Sequence, residues 1–349
     1  MRKLLNTLYV TKPEAYLSKE GTNVVVSEKG VKLLQIPIQN IEAIYTFGYQ
    51  GASPELMRLC AESGVSLVFF TIHGRFVARL QGKVSGNILL RHSQHRLFDD
   101  MVYATHLASM FITGKIYNSR SVLRRFVRDY PTNEKSTTVD ALSEKLKLNC
   151  YSVKYATNLD EIRGIEGIAA QKYFEAFPCL ILNNDPKFVF NGRNKRPPTD
   201  PVNALLSFGY SLLANDCVSA LEAVGLDPSF GVLHVMRPGR YSLALDLMEE
   251  MRAYLVDRLV ISLINNRQLS SSDFITHTEA AGDKSFSVIL TDNGRKKFLT
   301  AWQTKRKTEI THPFFNEKIQ LGLLPYCQAM LLSRYLRGDL DDYPVFLIK

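Results

Sequence analysis

Residues able to do chemistry gather most densely between 225 and 257, GLDPSFGVLHVMRPGRYSLALDLMEEMRAYLVD. One histidine, His234, precedes a loop built on Arg237, Pro238, Gly239 and Arg240, and a helical run then carries Asp246, Glu249 and Glu250. Leu243, Leu247, Met251, Tyr254 and Leu255 recur at helical spacing and define a buried stripe, with Ser242 as the expected N-cap. Asp246, Glu249, Glu250, Ala253 and Asp257 form the stripe beside it, because residues three and four apart share a helix face. Carboxylates this close repel, and solvent, an arginine or a metal relieves the repulsion. An imidazole among carboxylates, with positions left open, suits Mn²⁺ or Mg²⁺ and argues against a structural zinc. The plainer alternative is an amphipathic helix with a solvated acidic face after a buried histidine. A second acid, Glu166 in Arg163-Gly164-Ile165-Glu166-Gly167, lies at the edge of the stripe Ile162, Ile165, Ala169, Tyr173 and Phe177. Taken alone, Glu166 and Arg163 make an ordinary ion pair one helical turn apart.

The elements that must hold these residues fall into two kinds. Residues 5–80 read as short runs of β-branched and aromatic residues separated by turn signals, interrupted by one helix with Ser53 as N-cap, Pro54 at its first position and Gly64 as its stop. Beyond Phe98 the apolar period changes from two to about 3.6. Helices are expected over 101–113, 116–128, 138–148, 159–177, 201–225, 241–265, 294–308 and 315–337, with one small hairpin near 286–290. The expected fold is α+β in two domains: a mostly antiparallel β domain at 1–83 for packing and assembly, a linker at 84–97, and a larger all-α catalytic domain at 98–349. His92 and His95 in the linker lie at i, i+3 but lack nearby carboxylates, so surface or interface roles are favoured over metal ligation.

With 349 residues and 46% hydrophobic content, the chain can bury a large core and is not disordered. Lys and Arg number 43 against 34 Asp and Glu, a net +9 that favours a polyanionic partner such as nucleic acid. Cys60, Cys150, Cys179, Cys217 and Cys327 are odd in number and never form a CxxC pair, so a reducing cytoplasm fits and neither a disulfide framework nor a zinc knuckle is indicated. The start has a basic residue but no long apolar run or cleavage signal, and no membrane span is expected. Basic residues cluster at Arg120, Arg124, Arg125 and Arg128, at Arg193, Lys195 and Arg196, and at both ends of the helix expected over 294–308. Such clusters suit phosphate contacts, which position DNA without reading its sequence.

Three blocks, RGIEGIAAQKYFEAF, FNGRNKRPPTDPVNALLSFGYSLL and GLDPSFGVLHVMRPGRYSLALDLMEEMRAYLVDRLV, together resemble the CRISPR-associated adaptation integrases of spacer acquisition. The resemblance spans residues 161–260 closely and the rest of the chain more loosely. It implies an N-terminal β domain, a C-terminal helical domain, a homodimer, and a small ferredoxin-like CRISPR-associated partner in a larger integration complex. It implies that Glu166, His234 and Glu249 ligate Mg²⁺ or Mn²⁺, with Asp246 as a further acid of the same motif and Glu250 as the competitor to Glu249. Arg163, Asn203, Tyr210 and Arg240 fall inside the matching blocks, as site-shaping or phosphate-contacting residues. The implied activity is metal-dependent DNA cleavage and integration: the 3′-hydroxyl of a captured fragment attacks a phosphodiester at a repeat edge, so no protein nucleophile is needed. A non-catalytic DNA-binding subunit and a phosphoesterase of small substrates are the alternatives, the latter disfavoured by the basic charge.

Overall fold

The computed structural model describes residues 6–48, 50–82, 88–194, 197–278 and 286–348. The chain divides into two units, the first comprising Met1–Val84, Ser272–Ile275 and Ile289–Lys307, the second Ser85–Ser271, Thr276–Val288 and Thr308–Lys349.

In the first unit the short β-branched runs become β1 (Thr7–Val10), β2 (Ala15–Glu20), β3 (Asn23–Glu28), β4 (Val31–Pro37) and β5 (Ala43–Phe47), then helix α1 (Pro54–Ser63), β6 (Ser66–Phe70) and β7 (Phe76–Arg79). Strands β2, β3 and β4 form an antiparallel sheet. In the second sheet, β1-β5-β6-β7, the β1–β5 and β5–β6 pairs are parallel and only β6–β7 is antiparallel. The expected antiparallel bias therefore fails in this sheet, because α1 is a crossover that returns the chain to lay β6 alongside β5 in the same direction. Ser53 caps α1 by accepting from the Leu56 N–H, and the buried Leu56 and Cys60 join Leu17, Val24, Val26, Ile44 and Leu67 in one apolar core.

The rest of the chain is mainly helical: α2 (Ile88–Asp99), α3 (Met101–Asp129), α4 (Ser136–Val153), α5 (Leu159–Leu180), α6 (Pro201–Ala223), α7 (Ser242–Arg252), a π turn (Ala253–Asp257) and α8 (Arg258–Asn265). Strands β8 (Phe274–Thr278) and β9 (Phe286–Leu290) pair where the hairpin was expected, followed by α9 (Asp292–Lys307), β10 (Glu309–Thr311), β11 (Lys318–Gln320) and α10 (Leu324–Leu336).

Four expectations are corrected. The stretch 88–97, taken as linker, is helix α2, whose Leu90, Gln94 and Phe98 are buried; positions 84–87 lie outside the described residues. The break expected between 113 and 116 is absent: α3 runs unbroken through Gly114, where a Cβ would come within 2.5 Å of Val345 Cγ1 and 2.9 Å of Glu250 Cβ. Glycine there serves close packing, not helix termination. The region 98–349 is not all-α, since β10 and β11 pair antiparallel and delay the last helix to Leu324. Finally, α9 groups with the first unit, not with the helical domain. Its Phe298 and Trp302 are buried, Arg295 lies 5.4 Å from the Phe47 ring centre, and Arg306 donates to Thr7 Oγ1 at 2.8 Å.

Helix α6 is long and apolar enough by length and composition to cross a membrane, and 72% of that window is buried inside the protein. That burial marks α6 as the core helix of the second unit, a place an all-round apolar helix also fits.

Candidate metal centre and its supports

Helices α3, α5 and α7 pack side by side, and each sends one charged side chain to a common point. Lys115 of α3 hydrogen-bonds Glu166 Oε1 of α5, and its Nζ lies 2.8 Å from Glu249 Oε2 of α7. His234 approaches from the loop before α7, with Nε2 3.8 Å from Glu249 Oε1. The three expected ligands thus form one cluster, buried at Glu249 and opening to solvent at Glu166 and His234, whose side chains are 29% and 23% exposed.

Asp246 explains how His234 is held. Its Oδ2 accepts from the Val232 and Leu233 N–H groups at 2.8 and 3.0 Å, and its Oδ1 accepts from the His234 N–H at 3.0 Å and lies 2.6 Å from the His234 Nδ1. An ionised carboxylate only accepts, so Nδ1 donates to Asp246 and Nε2 is the ring nitrogen that faces Glu249. This carboxylate–imidazole pairing is how proteins orient a ligating histidine. Asp246 therefore positions the histidine and stands outside the cluster itself.

The loop is fixed at both ends. Gln94 of α2 donates to the Asp227 and Phe230 carbonyls and accepts from the Asp227 N–H, each at 2.9 Å, while the His95 ring stacks on Phe230 at 4.3 Å. His95 thus packs against the loop, and His92 is exposed. The Pro228 carbonyl accepts from the Leu243 and Ala244 N–H groups, satisfying the first turn of α7. Ser242, expected as N-cap, instead donates to the Val235 carbonyl at 3.3 Å. A Cβ on Gly231 would lie 2.5 Å from Asp246 Oδ2 and 2.7 Å from the Leu243 nitrogen, so only glycine lets the loop approach this closely. Arg163 donates through Nε and Nη2 to the Leu233 carbonyl at 3.1 and 3.0 Å, and through Nη1 to Asp160. Beyond His234, a turn closed by the Arg240 N–H on the Arg237 carbonyl carries both arginines, and Arg240 Nη1 reaches the Val235 carbonyl at 3.4 Å.

The four acids of the 246–257 run are all buried, which removes the reading of a solvated acidic face. Arg252 donates to both oxygens of Glu249 at 3.1 Å, and its guanidinium lies 4.2 Å from the Tyr210 ring centre. Burial opposes ionisation of Glu249, yet Arg252, Lys115 and, when protonated, His234 outweigh it and hold the carboxyl far below the ordinary range. Tyr210 and Tyr173 both donate to Asp257, at 2.5 and 2.9 Å; burial raises the Asp257 pKa, and Arg252 and these hydroxyls offset part of the effect. Glu250 faces elsewhere: it accepts from the Tyr343 hydroxyl, from Gln328 Nε2 at 3.0 Å and from the Phe346 N–H at 2.7 Å. Burial pushes its carboxyl up to about 7 against those donors. Glu249, not Glu250, is therefore the acid of this pair that joins the cluster.

Several of the candidate DNA-contacting residues make internal contacts. Arg193 donates to Asn203 Oδ1 at 2.7 Å and to Ser207 Oγ at 3.1 Å, and Asn203 donates to the Gly192 carbonyl and Asp200. Arg120 pairs with Glu144 at 2.8 Å and Arg124 with Asp140, tying α3 to α4. Arg196 and Lys195 lie outside the described residues.

Among the described residues no three His, Cys, Asp or Glu side chains are gathered tightly enough to ligate one ion as they stand. The Lys115 ammonium lies between Glu166 and Glu249. The donor set still fits a divalent cation, because two carboxylates converge on a positive charge and an imidazole nitrogen lies 3.8 Å from one of them. Lys115, Arg252 and Gln94 were not singled out from sequence. Only Arg252 left a signal, one turn after Glu249.

The family model described as "CRISPR associated protein Cas1" matches residues 8–304. A relative from Chlorobaculum tepidum, "CRISPR-associated endonuclease Cas1 1", is 47% identical over 348 residues, covering 99% of each chain. A solved structure described as "Casposase bound to integration product" is similar with a TM-score of 0.83 and 24% identity, over 97% of this chain and 92% of that one. A second, described as "Cas6-RT-Cas1--Cas2 complex", gives a TM-score of 0.85 at 21% identity, over 100% of this chain and 37% of that one. At these identities the two structures attest the fold alone.

Proposed function

This chain belongs to the CRISPR-associated Cas1 family, and on that premise we propose that it is a divalent-metal-dependent DNA endonuclease and integrase of CRISPR adaptation. It joins the 3′-hydroxyl ends of captured fragments into the repeat array by transesterification. The observation that carries this reading is the convergence of Glu166 and Glu249, from two helices, on one cation position, with the His234 Nε2 3.8 Å from Glu249.

Glu166, Glu249 and His234 would hold Mg²⁺ or Mn²⁺, the nitrogen ligand tilting the preference toward Mn²⁺. When bound, the ion lowers the pKa of the attacking hydroxyl and offsets charge on the phosphorane oxygens. The protein's own residues do the rest. Asp246 keeps the imidazole aimed, Arg252 and Lys115 keep Glu249 ionised, and Arg163 and Gln94 hold the His234 loop. Water in place of the hydroxyl gives cleavage. A homodimer and a small ferredoxin-like partner follow from the family resemblance, and a domain boundary near residue 84 from the change in apolar period. The experiment incubates the protein, with and without the partner, with fragment DNA and a repeat-bearing plasmid under Mg²⁺, Mn²⁺ or EDTA. Joined product is expected only with the ions. Joining in EDTA, or DNA binding with neither joining nor cleavage, would sink the reading.

A further inference from the structure

We propose that Lys115 is a stand-in cation: its ammonium holds the divalent ion's place in the ion-free protein, and ion binding releases it toward the open side of the site, where a DNA phosphate takes it up. The inference rests on the metal reading above and adds a positioning residue to it.

One ammonium touches both Glu166 and Glu249, the two acids that the ion would need. A divalent ion beside an ammonium on the same oxygens is repelled more strongly than the two monovalent cations that already share Glu249. One of the cluster's two cations must yield. Arg252 is tied down by both Glu249 oxygens and by the Tyr210 ring, 4.2 Å from its guanidinium, and its side chain is only 11% exposed. Among the described residues Lys115 bonds only the two acids, on a flexible four-carbon stem. Its backbone is held, because Gly114 packs directly against Val345 and Glu250, so the side chain moves and α3 does not. Glu166 and His234 mark the side open to solvent, the direction in which the ammonium swings. The arrangement gives the converging Glu166 and Glu249 carboxylates a second cation, beside Arg252, before the ion arrives.

The test compares the full-length wild type, Lys115→Met and Glu166→Gln by calorimetric titration with MnCl₂ alone. It adds reductive methylation of wild-type lysines, read by mass spectrometry with and without Mn²⁺. Lys115→Met should bind Mn²⁺ at least about tenfold more tightly, because no cation must be displaced. Labelling of Lys115 should rise severalfold on Mn²⁺ addition, and Glu166→Gln should lose Mn²⁺ binding. Equal or weaker affinity in a folded Lys115→Met, with binding still lost in Glu166→Gln, overturns the inference and leaves the metal reading standing. Absence of Mn²⁺ binding in wild type and Lys115→Met alike overturns both. Should Lys115→Met not fold, the labelling decides: unchanged or reduced modification under Mn²⁺ overturns the proposal.

Discussion

Asp246 and His234 sit 2.6 Å apart yet do different work, and substitution separates them. Asp246 is fully buried and serves three backbone N–H groups besides the imidazole. Asp246→Ala strands those donors and should cost about 3 kcal/mol or more in denaturant unfolding. His234→Ala removes a partly exposed ring and should stay within about 1 kcal/mol of wild type, while strand transfer falls by about 100-fold or more. A folded His234→Ala protein that integrates at the wild-type rate would remove the histidine from the mechanism. At this scale the family resemblance of their blocks pointed to Glu166, His234 and Glu249, and the structure brings the three near one another. Lys115 was not legible, because the glycine before it reads as a helix end, and a lysine at a helix end looks like a solvated charge.

That glycine belongs to the scale of elements, where α3, α7 and the C-terminal stretch meet. Asn118 donates to the Glu250 and Phe346 carbonyls at 2.6 and 2.7 Å and accepts from the Ile348 N–H, so the stretch is stitched to both helices. In an exposed helix interior Gly→Ala gains about 1 kcal/mol. Here the added methyl meets Val345 and Glu250, and Gly114→Ala should instead cost about 1–3 kcal/mol by thermal or denaturant unfolding. Increased stability would show that the C-terminal stretch yields freely. Glu250 makes the same junction pH-sensitive. Its folded value near 7 lies above the ordinary 4.5, so the native state binds the extra proton between those values. Its contribution is complete below about 4.5 and is lost as pH rises through 7, a decline on the order of 3 kcal/mol. Unfolding of Glu250→Gln in EDTA should show a flatter slope from pH 5 to 8 than wild type; an identical slope would exclude this carboxyl as its source. Helix positions were legible from the 3.6-residue period, whereas the continuity of α3 and the β10–β11 pair depend on contacts far along the chain.

For the molecule as a whole, the net charge of +9 sets the expectation of DNA binding that weakens steeply with salt. The arginines of α3 should contribute less than their spacing implied, because Arg120 and Arg124 are already paired with Glu144 and Asp140. Reversing Arg237 or Arg240, beside His234, should lower the magnitude of the log–log salt slope by about 1, the mark of one lost phosphate contact. Reversing Arg124 should leave that slope nearly unchanged and cost at most about 1 kcal/mol of stability. The opposite ranking, read from binding isotherms at several salt concentrations, would return the DNA to the α3 face. The apolar period changes between residues 83 and 98, and the chain divides between residues 84 and 85. The return of α9 was not legible, since Phe298, Leu299 and Trp302 announce a buried face without naming what buries it. That return has a consequence during synthesis. Domains ordinarily fold in the order they leave the ribosome, at roughly 5–20 residues per second, but the β sheets must wait for Ile289–Lys307 before their unit is complete. The delay is roughly 10–45 s at that rate, during which the nascent β segment stays unfinished and open to chaperones. A polypeptide ending at residue 84 should therefore be protease-sensitive when made alone.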